Sequence, residues 1–263
     1  MKIFLTNDDG FFAGGLQALA TELAKHAEVF IVAPSIEQSG VSQAITFLRP
    51  LNPCPVKDDQ DRLIGYTVNG TPADCVKLGL HELCPFEPDL VISGINNGLN
   101  IGINVCHSGT VGGAFNASMF GVPAISLSVQ SSESPRFDNV ASMAWPIIKK
   151  LAEAKLPAKS ICNLNFPHSV AEQNEMTKVI AVPAETNPLG YHFQTGIDPK
   201  GKPFFWATNS PAPKASSFLT DVQAIQQGYV TLSMLDYNPN HDQGQQLLGE
   251  MFATEPAQEQ STS

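Results

Sequence analysis

The sequence predicts an α/β protein, with a Rossmann-like, mostly parallel sheet carrying helices on both faces and a β-rich C-terminal extension. Three observations carry that prediction. Short apolar runs that end in polar, glycine-containing loops alternate with stretches whose apolar residues recur every three or four positions, the pattern of repeated βαβ units. After about Lys178 the helical stretches thin out and short β-like runs follow one another. With 263 residues, 43% hydrophobic and 15% charged, the chain can bury one large core with an appendage.

Residues 2–6 (KIFLT) form an apolar run that empties into Asn7-Asp8-Asp9-Gly10, a buried strand delivered into a polar loop. Leu16, Leu19, Ala20, Leu23 and Ala27 then make one apolar stripe, which predicts a helix over 15–27. Residues 28–34 (EVFIVAP) are continuous, apolar and stopped by Pro34, so the chain opens with a βαβ unit. Thr71-Pro72-Ala73-Asp74 starts the next helix with a capping hydroxyl, a first-turn proline and a carboxylate three positions after the cap, and Val76, Leu78 and Leu80 continue it. Residues 89–93 (DLVIS) are a strand running into a Gly/Asn-rich loop over 94–102. A helix starts at Ser108-Gly109-Thr110 and ends before Gly121, and 123–129 (PAISLSV) is a strand. Over 137–154, Val140, Met143, Ile147 and Leu151 recur at helical spacing, with a kink expected at Pro146. Residues 160–166 (SICNLNF) alternate and stop at Pro167, as a strand does.

This divides the chain into a Rossmann-like core, 1–177, and an extension, 178–263. The extension holds KVIAV, PFFWAT and YVTLSML, one helix opened by Thr220-Asp221 and closed by Gly228, and a flexible tail over 254–263. Strands without helices between them prefer hairpins or pairing with another subunit, and the extension is expected to do one or the other.

Charge excludes some partners. Fifteen Lys and Arg against 25 Asp and Glu leave a net charge of −10, and no basic run supplies the cationic footprint that duplex nucleic acid or an anionic membrane requires. The first residues are too briefly apolar for a secretory signal, and no apolar stretch approaches the length of a membrane span. Five scattered cysteines, none spaced as a zinc or redox pair, point to a reducing cytoplasm.

In an open parallel sheet, ligands collect outside the carboxyl ends of the strands. Three predicted loops lie there: 7–10, 35–40 and 93–100. Adjacent carboxylates such as Asp8 and Asp9 repel each other and stay ionised most readily with a cation between them. Asp-Asp-Gly alone is a common turn, and its place behind a buried first strand is what gives it weight. Ser39 and Asn96 add a hydroxyl and an amide oxygen, making an all-oxygen set that suits Mg²⁺ or Mn²⁺ better than zinc. Ser108-Gly109-Thr110 offers N–H groups, two hydroxyls and the positive end of a helix dipole, an arrangement for an anion, although Ser and Thr cap helices generally. His107 reads as a hydrogen-bonding spectator, Trp145 and Trp206 as core or interface residues, and 58–61 (DDQD) as a solvated loop.

TNDDG at 6–10, AP with SG over 33–40, GTPADCVKLG at 70–79, SGINNGLNIG at 93–102 and SGTVGGA at 108–114 together resemble the SurE family, whose members are metal-dependent nucleotide phosphatases. The likeness continues through LNFP at 164–167, DPKGKPFFW at 198–206 and TDVQAIQQGYVTLSML at 220–235. It implies a SurE-like fold and one divalent ion, Mg²⁺ or Mn²⁺, per subunit on Asp8, Asp9, Ser39 and Asn96. It also implies catalytic roles for Asp8 and Asp9, and a substrate site formed by Asn7, Asn96, Ser108, Gly109 and Thr110. The implied reaction is hydrolysis of nucleoside 5′-monophosphates, with 3′-monophosphates and polyphosphate left open. The implied assembly is a homodimer or homotetramer with exchanged C-terminal segments. Two departures are His107, where the family often has an aromatic or other bulky residue, and Phe115-Asn116-Ala117, where it often has an acidic one. A haloacid-dehalogenase-type phosphatase separates its two aspartates by one residue, unlike Asp8 and Asp9. The alternative from another class is a nucleotide-binding scaffold without turnover, which the intact set of four donors argues against.

Overall fold

The computed structural model describes residues 1–154, 156–157, 159–187, 192–208, 216–237 and 240–252. The tail expected over 254–263 lies outside them. In chain order the first half comprises β1 (Lys2–Thr6), α1 (Gly14–Leu23), β2 (Glu28–Pro34), β3 (Pro53–Lys57), β4 (Leu63–Val68), α2 (Pro72–Leu78), β5 (Leu90–Asn97) and α3 (Gly109–Met119). The second comprises β6 (Ala124–Val129), α4 (Phe137–Glu153), β7 (Ser160–Phe166), α5 (His168–Gln173), β8 (Val179–Ala181), β9 (His192–Ile197), β10 (Pro203–Thr208), α6 (Asp221–Gln226), β11 (Val230–Asp236) and α7 (Asp242–Phe252).

Nine strands form one sheet in the order β3-β4-β2-β1-β5-β6-β7-β11-β8. From β4 to β7 every neighbouring pair is parallel. β3 is antiparallel on β4 at one side, β11 is antiparallel on β7 at the other, and β8 runs parallel to β11. The mostly parallel α/β sheet predicted from the sequence is therefore present. The chain leaves β1 toward β2 and β4 and then returns to β5 on the other side of β1, so the loops after β1 and β5 diverge and open a crevice.

Residue alternation along β1 shows why both faces are covered. Ile3 and Leu5 pack with Leu16, Leu19 and Leu23 of α1 and Val140, Ala144 and Ile148 of α4. Phe4 packs on the opposite face with Val76 of α2 and with Val111, Ala114 and Ala117 of α3. Thr71 caps α2 as its spacing predicts, its hydroxyl accepting from Asp74 N–H while the Asp74 carboxylate accepts from Thr71 N–H.

Several elements differ from the sequence reading. β5 runs through Asn97, so Asn96 stands on an irregular strand end where a loop was expected, and the β5–β6 register shifts between Ser93 and Asn96. Gly94 permits the shift: its φ is +143°, and a Cβ there would lie 2.2 Å from the Leu127 carbonyl oxygen. α1 stops at Leu23, short of Ala27. α4 covers the span its spacing predicts, with Pro146 inside it. The β3–β4 hairpin, whose turn contains 58–61, and the helices α5 and α7 were not anticipated. Beyond Lys178, β8 and β11 join the main sheet, while β9 and β10 form a separate antiparallel pair.

Candidate active site

The site is built where β1, β2 and β5 end. Asn7 is fully buried; its amide donates to Gly10 O at 2.9 Å and its carbonyl accepts from Gly10 N–H at 3.1 Å, closing a tight turn. Two backbone bonds stitch this turn to the loop after β2, from Phe11 N–H to Pro34 O at 2.9 Å and from Gln38 N–H to Asp8 O at 2.7 Å. The consequence is that Asp8 and Asp9 sit beside Glu37 and Ser39.

Asp8 points at the start of α3. Its Oδ1 accepts from the Thr110 hydroxyl at 2.5 Å, and the Thr110 N–H also supports the carboxylate. Gly109 makes the approach possible, because a Cβ there would lie 2.8 Å from Asp8 Cβ and 2.9 Å from Asp8 Oδ2. Burial pushes the Asp8 acid above the usual carboxylate range, the Thr110 bonds oppose that, and the Glu37 charge adds to it. Asp9 is pushed up to about 6, first by burial and then by the charges of Asp8 and Glu37, against the stabilising N–H of Asn97.

One cavity of about 700 Å³ collects these groups. Asp8 and Asp9 after β1, Glu37 and Ser39 after β2, and Asn96 and Asn97 at the end of β5 line one wall. Leu99, Asn100, Asn104 and His107 line another, with Ser108 at the α3 cap and Ala207 of β10. Of the residues singled out in the sequence, Asp8, Asp9, Ser39, Asn96 and Ser108 reach this cavity. The others do not line it: Asn7 is spent in its turn, and Gly109 and Thr110 stand behind Asp8. The anion at the helix start is thus the chain's own Asp8 carboxylate. Ser39 donates to Glu37 Oε1 at 2.7 Å, and Asn96 donates its amide to Gly98 O at 2.7 Å, which leaves its carbonyl oxygen to accept.

The donors are all oxygen, the kind a hard divalent cation takes, but among the described residues no three His, Cys, Asp or Glu side chains cluster closely enough to hold a metal ion by themselves. Among the described residues, three carboxylates share the cavity with hydroxyl and amide oxygens, no lysine or arginine lines it, and none of the three has an ion pair. Glu37 escaped the sequence reading although it lies two positions before Ser39 in a loop already singled out. The second wall was singled out only as far as Leu99 and Asn100 in the loop 93–100. It is held by Asn163 and Asn165 of β7, both fully buried, whose amides donate to Asn100 O at 2.7 and 3.1 Å, while Asn165 Oδ1 accepts from Asn100 N–H at 2.9 Å. The alternating asparagines of SICNLNF were the available signal, since a buried strand carries amides only where they find partners. Trp145 is half-buried and stacks on His26 with ring centroids 4.4 Å apart, and Trp206 is exposed.

The fold and the crevice define a doubly wound α/β protein with an oxygen-donor, carboxylate-rich pocket at its topological switch point. The family described as survival protein SurE matches residues 3–186. The chain is 42% identical over 252 residues to the 5′-nucleotidase SurE of Rhodopirellula baltica, covering 95% of this chain and 97% of that one. It is 39% identical over 238 residues to the 5′-nucleotidase SurE 1 of Thermus thermophilus, covering 89% and 90%. The crystal structure of the SurE protein from Aquifex aeolicus superposes with a TM-score of 0.80 at 34% identity, over 95% of this chain and 99% of that one. The chain belongs to the SurE family.

Proposed function

We propose that this enzyme, a phosphoric monoester hydrolase, removes phosphate from nucleoside 5′-monophosphates with one divalent cation held by Asp8, Asp9, Ser39 and Asn96. The supporting observation is that these four oxygen donors, at the carboxyl ends of three separate strands, line one cavity in which, among the described residues, no lysine or arginine stands. Carboxylates repel a phosphate ester, so an anionic crevice accepts one only with a cation between them. Mg²⁺ or Mn²⁺ bound there would screen the ester's charge and lower the pKa of a water molecule.

The chain's own groups do the rest. Asp8, fixed against Thr110, either orients water toward phosphorus or attacks phosphorus itself. Hydrolysis of a chiral phosphate ester separates the two, inversion marking water attack and retention a phosphoenzyme. Asn96 and Ser108 stand on the cavity wall and donate to the substrate, while Asn7, Gly109 and Thr110 hold the turn and helix start that shape it.

The proposal extends to assembly. The β9–β10 hairpin exposes Phe193, Ile197, Phe205 and Trp206, and α7 exposes Leu247, Leu248, Met251 and Phe252. These apolar faces suit exchange between copies in a homodimer or homotetramer, within the extension 178–263 that follows the core 1–177. We place the enzyme in the cytoplasm on its five cysteines, all of them free.

Phosphate release from nucleoside 5′- and 3′-monophosphates and from polyphosphate, with Mn²⁺ or Mg²⁺ and with chelator, tests the activity. Release from 5′-monophosphates that chelator abolishes is expected. No release with either metal would leave the nucleotide-binding scaffold in its place.

A further inference from the structure

We infer that Asp221, in the C-terminal part of the chain, is a positioning residue that fixes the cavity wall formed by residues 99–107 and so sets the fit of the nucleoside portion of the substrate. The inference rests on the proposed nucleotidase reading. Asp221 opens α6 and is fully buried. Its Oδ2 accepts from Gly102 N–H at 2.9 Å, 119 positions earlier in the chain, and its Oδ1 accepts from Glu185 N–H at 2.9 Å and Val222 N–H at 2.8 Å.

Helix capping does not account for this carboxylate. Thr220 and Gln223 already form the capping box of α6. Among the described residues no cation pairs with Asp221, so its charge rests on backbone N–H groups alone, a costly burial. Two of its three bonds join distant segments at one point. Gly102, with φ +57°, begins the 3₁₀ turn Gly102–His107, which carries Asn104 and His107 to the cavity. Two positions before it, Asn100 is clamped by Asn163 and Asn165. The wall is therefore pinned at Asn100 from β7 and at Gly102 from α6.

The four proposed cation donors lie outside the pinned segment, at positions 8, 9, 39 and 96. Loosening the Gly102 pin displaces the wall facing the nucleoside and leaves the wall facing the phosphate. Because the fit of a bound group depends on wall position at the ångström scale, the effect falls on substrates large enough to touch both walls.

The experiment compares steady-state kinetics of the full chain with Mn²⁺ on a nucleoside 5′-monophosphate and on p-nitrophenyl phosphate, alongside Mn²⁺ affinity by calorimetry. Asp221→Asn keeps the shape and loses one acceptor oxygen. The expected result is a KM for the nucleotide raised roughly tenfold, the loss of about one charge-assisted hydrogen bond, with kcat retained. Turnover of p-nitrophenyl phosphate and Mn²⁺ affinity stay within about twofold. Gly102→Ala disturbs the same junction from the other side, by placing a Cβ at a left-handed φ, and is expected to give the same pattern more weakly even where Asp221→Asn folds poorly. A parallel loss on both substrates, weakened Mn²⁺ binding, or an unchanged nucleotide KM in both variants overturns the inference. A wild-type chain that hydrolyses neither substrate overturns the proposed function instead.

Discussion

The Thr110 hydroxyl donates to Asp8 Oδ1 at 2.5 Å, joining the first turn of α3 to the residue that follows β1 across 102 positions of sequence. Burial raises the Asp8 pKa, and this bond favours the charged form and works against that larger effect. Thr110→Val is expected to raise the Asp8 pKa further, weaken Mn²⁺ binding and lower phosphate release by about tenfold or more, whereas Thr110→Ser keeps the bond and most of the activity. Calorimetric Mn²⁺ titration of both variants at neutral pH is the check; equal affinities would remove the bond from the mechanism.

Gly109→Ala probes the same contact by volume. Alanine favours a helix over glycine, yet its methyl group would meet Asp8 Cβ at 2.8 Å, closer than real Cβ atoms come. Activity should fall more than tenfold as the helix start moves off Asp8, an order of effect typical of a small misplacement. A crystal structure of the variant would show the shift.

Asp8→Asn and Asp9→Asn should each abolish phosphate release while far-ultraviolet circular dichroism stays native. Both substitutions remove a charge that has no ion pair among the described residues and keep an oxygen that can accept a hydrogen bond, so the fold loses no salt bridge. Full activity in either variant would move the reaction elsewhere.

Cation binding should stabilise the fold by mass action, at roughly 2.7 kcal/mol for a concentration one hundred times the dissociation constant. Adding Mn²⁺ is thus expected to raise the thermal midpoint of the wild type, chelator to reverse the gain, and Asp8→Asn to show neither change. Calorimetric scans measure all three.

Thiol reactivity should follow burial. Cys75 and Cys162 are buried, and burial pushes the Cys162 thiol up to about 11 and raises Cys75 well above its ordinary range. Cys54 and Cys106 are exposed. A disulfide reagent at pH 8 should label those two quickly in the native protein and the buried pair only after denaturation.

The core strands could be read in the sequence because burial on both faces writes itself as unbroken apolar runs, as in 28–34 and 123–129. Thr71-Pro72-Ala73-Asp74 was equally plain, since capping is local chemistry. The β3–β4 hairpin left no such trace: β3 lies at the sheet edge, mostly exposed, with Pro53 and Pro55 in place of apolar alternation. That Asp8, Asp9, Ser39 and Asn96 line one cavity could be anticipated because Asp8, Asp9 and Ser39 follow strand ends and Asn96 stands at the end of β5. Glu37 and the full wall at 99–107 could not be. Their roles depend on contacts with Asp9, Asn165 and Asp221 that only the folded chain brings about. Thr110 was found for a different reason from the one its position shows, because a helix start that could receive an external anion receives Asp8.

On β10, Ala207 reaches the cavity while its neighbour Trp206 is 69% exposed, and β9 fixes this pairing with Ala207 opposite Phe193 and Trp206 opposite Gln194. Side chains on a strand alternate, so sliding this ribbon by one position would exchange a methyl group for an indole at the cavity. The side chain that this ribbon presents to the cavity is therefore governed by the alignment of two short strands remote from the acidic cluster in sequence.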